Sequence, residues 1–192
     1  SMANLLHKRM GLDLKSIIPF AIAILYALTI HEFFHAWTAN KLGDPTARMQ
    51  GRLTLNPLAH LDPLGTICLF IAHFGWGKPV PIDPRYFKSY KRDTALVAVA
   101  GPFSNLVLAF LSFGLLFLFS IIAGGAPALV QTFLSNLLND LITINLVLMA
   151  FNLLPVAPLD GSKIIRIWIP ARHDTAYEEF MRKGPWILLI LI

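Results

Sequence analysis

Three apolar blocks dominate the chain. Residues 17–39, 94–123 and 133–154 are long runs of Leu, Ile, Phe, Ala and Val, each reaching the roughly 20 residues that a helix needs to cross a bilayer core of about 30 Å. They predict three core transmembrane helices. The run from Leu64 to Trp76 is shorter and contains Gly65, His73 and Gly75. That length fits a piece that dips into the membrane without crossing, and a re-entrant hairpin is expected over residues 58–77. Gly51–Pro57 (GRLTLNP) alternates apolar and polar residues and ends in a turn pair, the pattern of a short interfacial strand. Gly77–Pro84 carries Pro79, Pro81 and Pro84 and is expected to be an extended loop. Gly124-Gly125-Ala126-Pro127 marks a tight connection between the second and third spans. The last apolar run, Pro185 to Ile192, reads as a final helix starting near residue 184 and cut short. The predicted fold is an all-α polytopic membrane protein forming one domain over residues 1–192, with a partial C-terminal helix.

Composition agrees. Of 192 residues, 56% are hydrophobic and 14% charged, with a mean hydropathy of +0.63, which excludes disorder and an ordinary soluble domain. The net charge of +5 comes from basic residues in short segments between apolar blocks, as in the cytoplasmic loops of membrane proteins rather than in a nucleic-acid-binding face. The lipid bilayer is therefore the expected partner, and nucleic acid is not. The single cysteine, Cys68, excludes an internal disulfide and a Cys-based zinc site. Ser1 before Met2 reads as the remnant of a cleaved purification tag. Residues 2–16 form a basic lead-in with His7, Lys8, Arg9 and Lys15.

The first span carries the chemistry. His31-Glu32-Phe33-Phe34-His35 is an HExxH motif, and on a helix the i, i+4 spacing puts both imidazoles on one face with Glu32 beside them. Two such histidines suit one zinc, with a third protein ligand and a water completing a tetrahedron. Ionisable groups within an apolar helix are costly and mark function by default; the bland alternative is a pair of surface histidines near a helix end. Candidates for the third ligand are Asp44, His60, Asp62, His73, Asp140 and Asp160. Asp160 is favoured because it follows the third span in a segment where Pro155 and Pro158 break the helix, and unwound backbone at membrane depth must line a cavity or be buried in protein. For His60 and Asp62, backbone hydrogen bonding is the favoured role. His73 is expected to be an interfacial anchor, and the apolar stripe of residues 103–119 to be lipid-facing surface.

HEFFHAWTANKLGD (31–44), GRLTLNPLAHLDPLGT (51–66), FGWGKPVPI (74–82), AGPFSN (100–105) and FNLLPVAPLDG (151–161) together resemble the site-2 protease family of intramembrane zinc metalloproteases, in its compact form without a PDZ domain. The resemblance covers most of the chain. It implies one zinc per chain held by His31, His35 and Asp160, Glu32 as general base, and hydrolysis of a peptide bond in or near a transmembrane segment of a membrane-protein substrate. It also implies that Asn152 stabilises the oxyanion or holds substrate, with an interhelical hydrogen bond as the alternative, and it makes Gly101 and Asn105 further substrate-site candidates, with Gly101 allowing close helix approach and a packing role favoured for Asn105. Ala157 stands where the family commonly has a second proline, a departure expected to loosen the loop before Asp160. Oligomeric state is not indicated.

If His31, His35 and Asp160 share a metal, the C-terminal ends of the first and third spans lie on one side, and residues 58–77 cannot cross. Eight Lys and Arg in 40–93 and five in 155–183 then share a face, against three in the lead-in and none in 124–132. The positive-inside rule turns that face, with the active site, to the cytoplasm of a prokaryotic cell membrane. Two other functions fit an intramembrane His-His-Asp set: an ion-binding or transport protein, which has no need of Glu32 as a base, and a homologue that binds helices without cutting them.

Overall fold

The computed structural model describes residues 14–72 and 77–191. Its α-helices are α1 (Leu14–Lys41), α2 (Thr46–Met49), α3 (Pro63–Ala72), α4 (Tyr90–Ile122), α5 (Ala128–Asn152), α6 (Asp160–Ile165) and α7 (Asp174–Leu191). Among the described residues, α1, α4 and α5 are the helices long and apolar enough to cross a membrane, matching the three expected spans. His7, Lys8, Arg9 and His73 lie outside the described residues.

The bundle is built inside out relative to a soluble protein. The largest fully buried side chains are His60, Asn105, Asn145, Asp44, Asp93, Pro19, Pro102, Ser112 and Ser162, while Phe103, Phe110, Phe113 and Phe117 of α4 are exposed. Water would reverse that arrangement. In lipid, where apolar side chains gain nothing by leaving the surface, small residues at helix contacts and interhelical hydrogen bonds hold the bundle. The chain is accordingly an integral membrane protein, and the 103–119 stripe is its outer surface.

Contacts from α1 to α4 run in reverse order, His31 to Asn105 and His35 to Val97, so these helices are antiparallel. A 3-10 turn at Ala123–Gly125 then reverses the chain. Gln131 closes this corner by donating to the carbonyls of Ala123 and Ala126, the first of which also accepts the Ala126 N–H within the turn. Two reversals make α5 parallel to α1, so the C-terminal ends of both lie together, as a shared site requires.

Leu61 and Gly77 form an antiparallel bridge, and the Lys78 N–H donates to the His60 carbonyl at 2.9 Å. The chain at 60–61 and the chain at 77–78 thus lie side by side. The strand expected at Gly51–Pro57 is absent: residues 51–56 are turn and irregular chain, and Asn56 caps a 3-10 turn at Pro57–Ala59. The alternation does not track burial here: polar Arg52 is buried and donates to the Lys78 carbonyl, its neighbour Leu53 packs on Ala36, Ala47 and Val80, and Leu55 is exposed. The proline-rich segment after Gly77 is extended, as expected.

The C-terminal helix is also longer than expected. α7 begins at Asp174 and carries Pro185 in its interior. Its polar first half docks on the α6 region, where the Tyr177 hydroxyl donates to the Ser162 carbonyl at 2.9 Å and Arg166 lies over the Tyr90 and Tyr177 rings. Gly184 packs so closely on Ala157 that a Cβ there would lie 2.8 Å from the Ala157 Cα. Ala157 is buried beneath this contact, so the loop before Asp160 is covered rather than loosened.

Candidate metal centre

His31 and His35 project from one face of α1 with ring centroids 4.6 Å apart and planes nearly perpendicular. Each ring is oriented through Nδ1. That of His31 donates to Asn105 Oδ1 at 2.6 Å, and that of His35 to the Val97 carbonyl at 2.7 Å. Because both partners are oxygens that only accept here, the proton of each neutral ring sits on Nδ1 and the Nε2 lone pair is left bare. The two Nε2 atoms nevertheless face one another at 2.9 Å.

Asp160 reaches the same point from the first turn of α6. Its Oδ2 lies 3.1 Å from His35 Nε2 and 3.2 Å from His31 Nε2, and all three residues are buried. Burial opposes ionisation of Asp160, but when a proton rather than a metal sits between the three residues, the positive charge at His35, hydrogen bonds from both rings and nearby Lys163 outweigh it and hold the carboxyl below the ordinary carboxylate range. Gly161 puts Asp160 there: a Cβ at Gly161 would meet the Leu153 and Leu154 carbonyls, so α6 can start against the end of α5 only without one.

Three acceptors converging at this spacing require a positive charge between them, a proton or a metal ion. Ligands 2.0–2.1 Å from a tetrahedral zinc stand about 3.3 Å apart, close to the observed triangle. A cradle faces it. Gly101 of α4 lies under both rings, and a Cβ there would sit 2.6 Å from His35 Cε1 and 2.7 Å from His31 Cε1. The two nitrogens and the carboxylate oxygen are also the donor set that zinc accepts. These residues could hold it.

Glu32 is partly buried, and its Oε2 accepts the Val80 N–H at 2.9 Å. Pro79 and Pro81 have no N–H to offer, which leaves Val80 as the donor of that stretch. The segment is fixed at both ends: Lys78 by Arg52 and His60, and Asp83 by its N–H donated to Asp44 at 2.7 Å.

The remaining candidates fall elsewhere. Asp44 ties the end of α1 to Thr46 and Asp83. Asp62 caps α3 through the Gly65 N–H, and His60 donates from Nε2 to the Thr54 carbonyl, the backbone roles favoured for both. Asp140 lines a crevice with Ser16, Ile17, Phe20 and Asn136, far along α5 from its Asn152 end. Asn152 donates one N–H of its amide to the Leu148 carbonyl within α5, which leaves its second N–H and its Oδ1 uncommitted by that bond. Asn105 is fully buried, donating to Asn145 and Ala27 while accepting from His31, so its amide faces a metal-site ring rather than a substrate. Gly101 likewise lies beneath the imidazoles. Asn145 was missing from the expected site. Its one signal in the sequence is an amide within an apolar helix.

The family model described as peptidase family M50 matches residues 118–192. YwhC of Bacillus subtilis, provisionally named a zinc metalloprotease, is 47% identical over 156 residues, covering 81% of this chain and 71% of its own length. MJ0611 of Methanocaldococcus jannaschii, named in the same way, is 30% identical over 160 residues, 81% of this chain and 74% of that protein. Rip2 of Mycolicibacterium smegmatis, again so named, is 42% identical over 97 residues, 47% of this chain and 37% of its own length. No solved structure matches the chain.

Proposed function

The chain belongs to peptidase family M50, the site-2 proteases, and from that premise we propose that it is a zinc endopeptidase that cuts membrane-protein substrates in or near a transmembrane segment. His31, His35 and Asp160 hold the metal and Glu32 is the general base. The observation that carries this reading is the buried triangle of two imidazole nitrogens and a carboxylate oxygen, with both Nδ1 atoms already committed. Zinc bound there supplies a strong Lewis acid that brings a water towards ionisation at neutral pH.

The residues of the chain do the rest. Glu32, next in sequence to His31, would serve as the base for the attacking water, and the Val80 N–H holds its carboxylate in place. Asp160 brings a negative charge that offsets the metal. A helical substrate hides its carbonyls in i to i−4 hydrogen bonds, so the segment to be cut has to unwind.

Residues 58–77 form a re-entrant hairpin in this reading, supported by the bridge between Leu61 and Gly77 and by the ten residues of α3, about 15 Å of helix against a bilayer core of about 30 Å. The active-site end faces the cytoplasm, because eight and five of the sixteen Lys and Arg lie in 40–93 and 155–183.

Elemental analysis of the detergent-purified protein tests the metal: about one zinc per chain is expected, lost in both His35→Ala and Asp160→Ala. Glu32→Gln should keep the zinc and lose cleavage of a reconstituted membrane substrate. Zinc retained without Asp160 would refute the ligand set, and cleavage by Glu32→Gln would refute the base.

A further inference from the structure

Asn145 does not touch the metal triangle, yet it is fully buried in α5 and bonded to a residue that does. The bonds form a directed chain. Asn145 Nδ2 donates to the Leu141 carbonyl at 2.7 Å, leaving its Oδ1 to accept from Asn105 Nδ2 at 2.7 Å. Asn105 Nδ2 also donates to the Ala27 carbonyl at 3.3 Å, and Asn105 Oδ1 is thereby turned to the His31 Nδ1–H.

An asparagine amide has a donating and an accepting end, so its orientation decides which nitrogen of a neighbouring imidazole carries the proton. With Asn105 as observed, the proton of His31 stays on Nδ1. A rotated Asn105 would present NH2 to Nδ1, move the ring proton to Nε2 and aim an N–H at the metal position. Rotation would also set Asn105 Oδ1 against two acceptors, Asn145 Oδ1 and the Ala27 carbonyl. Leu141 in turn fixes the direction of Asn145.

We propose that Asn145 is a positioning residue which, through Asn105, holds His31 in the tautomer that leaves Nε2 free for a metal. This rests on reading the triangle as a metal site. Ring partners of this kind commonly change metal affinity by about 10–100-fold. A polar residue that merely joins two membrane helices would affect stability and leave the tautomer alone, which separates the two roles.

The test compares the parent with Asn145→Leu, Asn145→Asp, Asn105→Leu and the double variant Asn105→Leu/Asn145→Leu in detergent, by chelator competition for zinc and by nitrogen NMR of histidine-labelled protein. Asn145→Leu should weaken zinc binding about 10-fold and populate the Nε2–H form of His31, its signal identified by its loss in His31→Ala. Asn145→Asp, which keeps an acceptor for Asn105, should restore the parent's tautomer. Once Asn105 is leucine, Asn145→Leu should cost no further zinc affinity. Parent affinity and tautomer in Asn145→Leu, or additive losses in the double variant, would overturn the proposal. If Asn145→Leu does not fold, Asn145→Asp and Asn105→Leu decide it: a parent-like tautomer in Asn105→Leu, or an altered one in Asn145→Asp, overturns it. A parent that binds no zinc while His31 holds its proton on Nδ1 would defeat the metal reading alone.

Discussion

Gly101→Ala is the most exposing single change. The added methyl would lie 2.6 Å from His35 Cε1 and 2.7 Å from His31 Cε1, where carbon atoms ordinarily approach to about 3.5–4.0 Å. One ring or the helix must therefore yield by about 1 Å. The rings have little freedom, because each is held through Nδ1, at 2.6 Å by Asn105 and at 2.7 Å by Val97. Moving α4 outwards would stretch those same bonds. Overpacking of this kind costs about 1–3 kcal/mol, and ligand positions in a metal site tolerate about 0.2 Å. If that strain falls on the bound state, zinc affinity drops by about 10–100-fold. Gly114→Ala is the control: it is an exposed position on the same helix with nothing within 4 Å of an added Cβ, where alanine should be neutral or stabilising by up to about 1 kcal/mol. Chelator competition and thermal unfolding of both variants provide the comparison. Parent zinc affinity in Gly101→Ala would refute the claim that a bare Cα is required beneath the rings.

Three further outcomes follow from contacts described above. Val80→Pro removes the N–H that holds Glu32, so zinc content should be unchanged while turnover falls by about 10-fold or more, as expected for losing a hydrogen bond to a charged group; unchanged turnover would show that Glu32 is oriented by other groups. Gly184→Val drives a side chain into Ala157 and should lower the thermal midpoint, with an overpacking cost of about 1–3 kcal/mol, read by unfolding in detergent. Stripping zinc with a chelator should also lower the midpoint, since a ligand bound only to the folded state stabilises it in proportion to the logarithm of its concentration; a midpoint indifferent to zinc would count against the site.

Legibility in the sequence followed the range of the interaction. The i, i+4 spacing of His31 and His35 is local and survives any tertiary arrangement, and the three long helices are set by length and hydropathy. Asp160 was reachable because Pro155 and Pro158 break the helix ahead of it and because the surrounding residues resemble a known family. The Asn105–Asn145 contact joins two helices across forty residues of chain, and no local pattern says which amide meets which. The start of α7 was missed because its first half is polar, facing the rest of the protein through Tyr177 while Glu179 and Lys183 pair at the surface, and because Pro185 read as a first helical residue when it lies well inside. The supposed strand at 51–57 failed for a related reason: alternation implied a single covered face, yet the consecutive Arg52 and Leu53 are both covered, by a loop and a helix, while Leu55 is exposed.

The pinch at Leu61 and Gly77 has a consequence for how such a molecule can change. Leu61 and Gly77 meet at a single place, so the length of chain between them does not set the position of anything beyond it. Doubling such a loop adds only about 0.6 kcal/mol of closure entropy, and lengthening or shortening it would leave Arg52, Lys78 and Val80 where they are. That stretch of sequence is therefore the one that can be exchanged wholesale, to suit a different membrane or a different partner, while the carboxylate of Glu32 stays under its clasp.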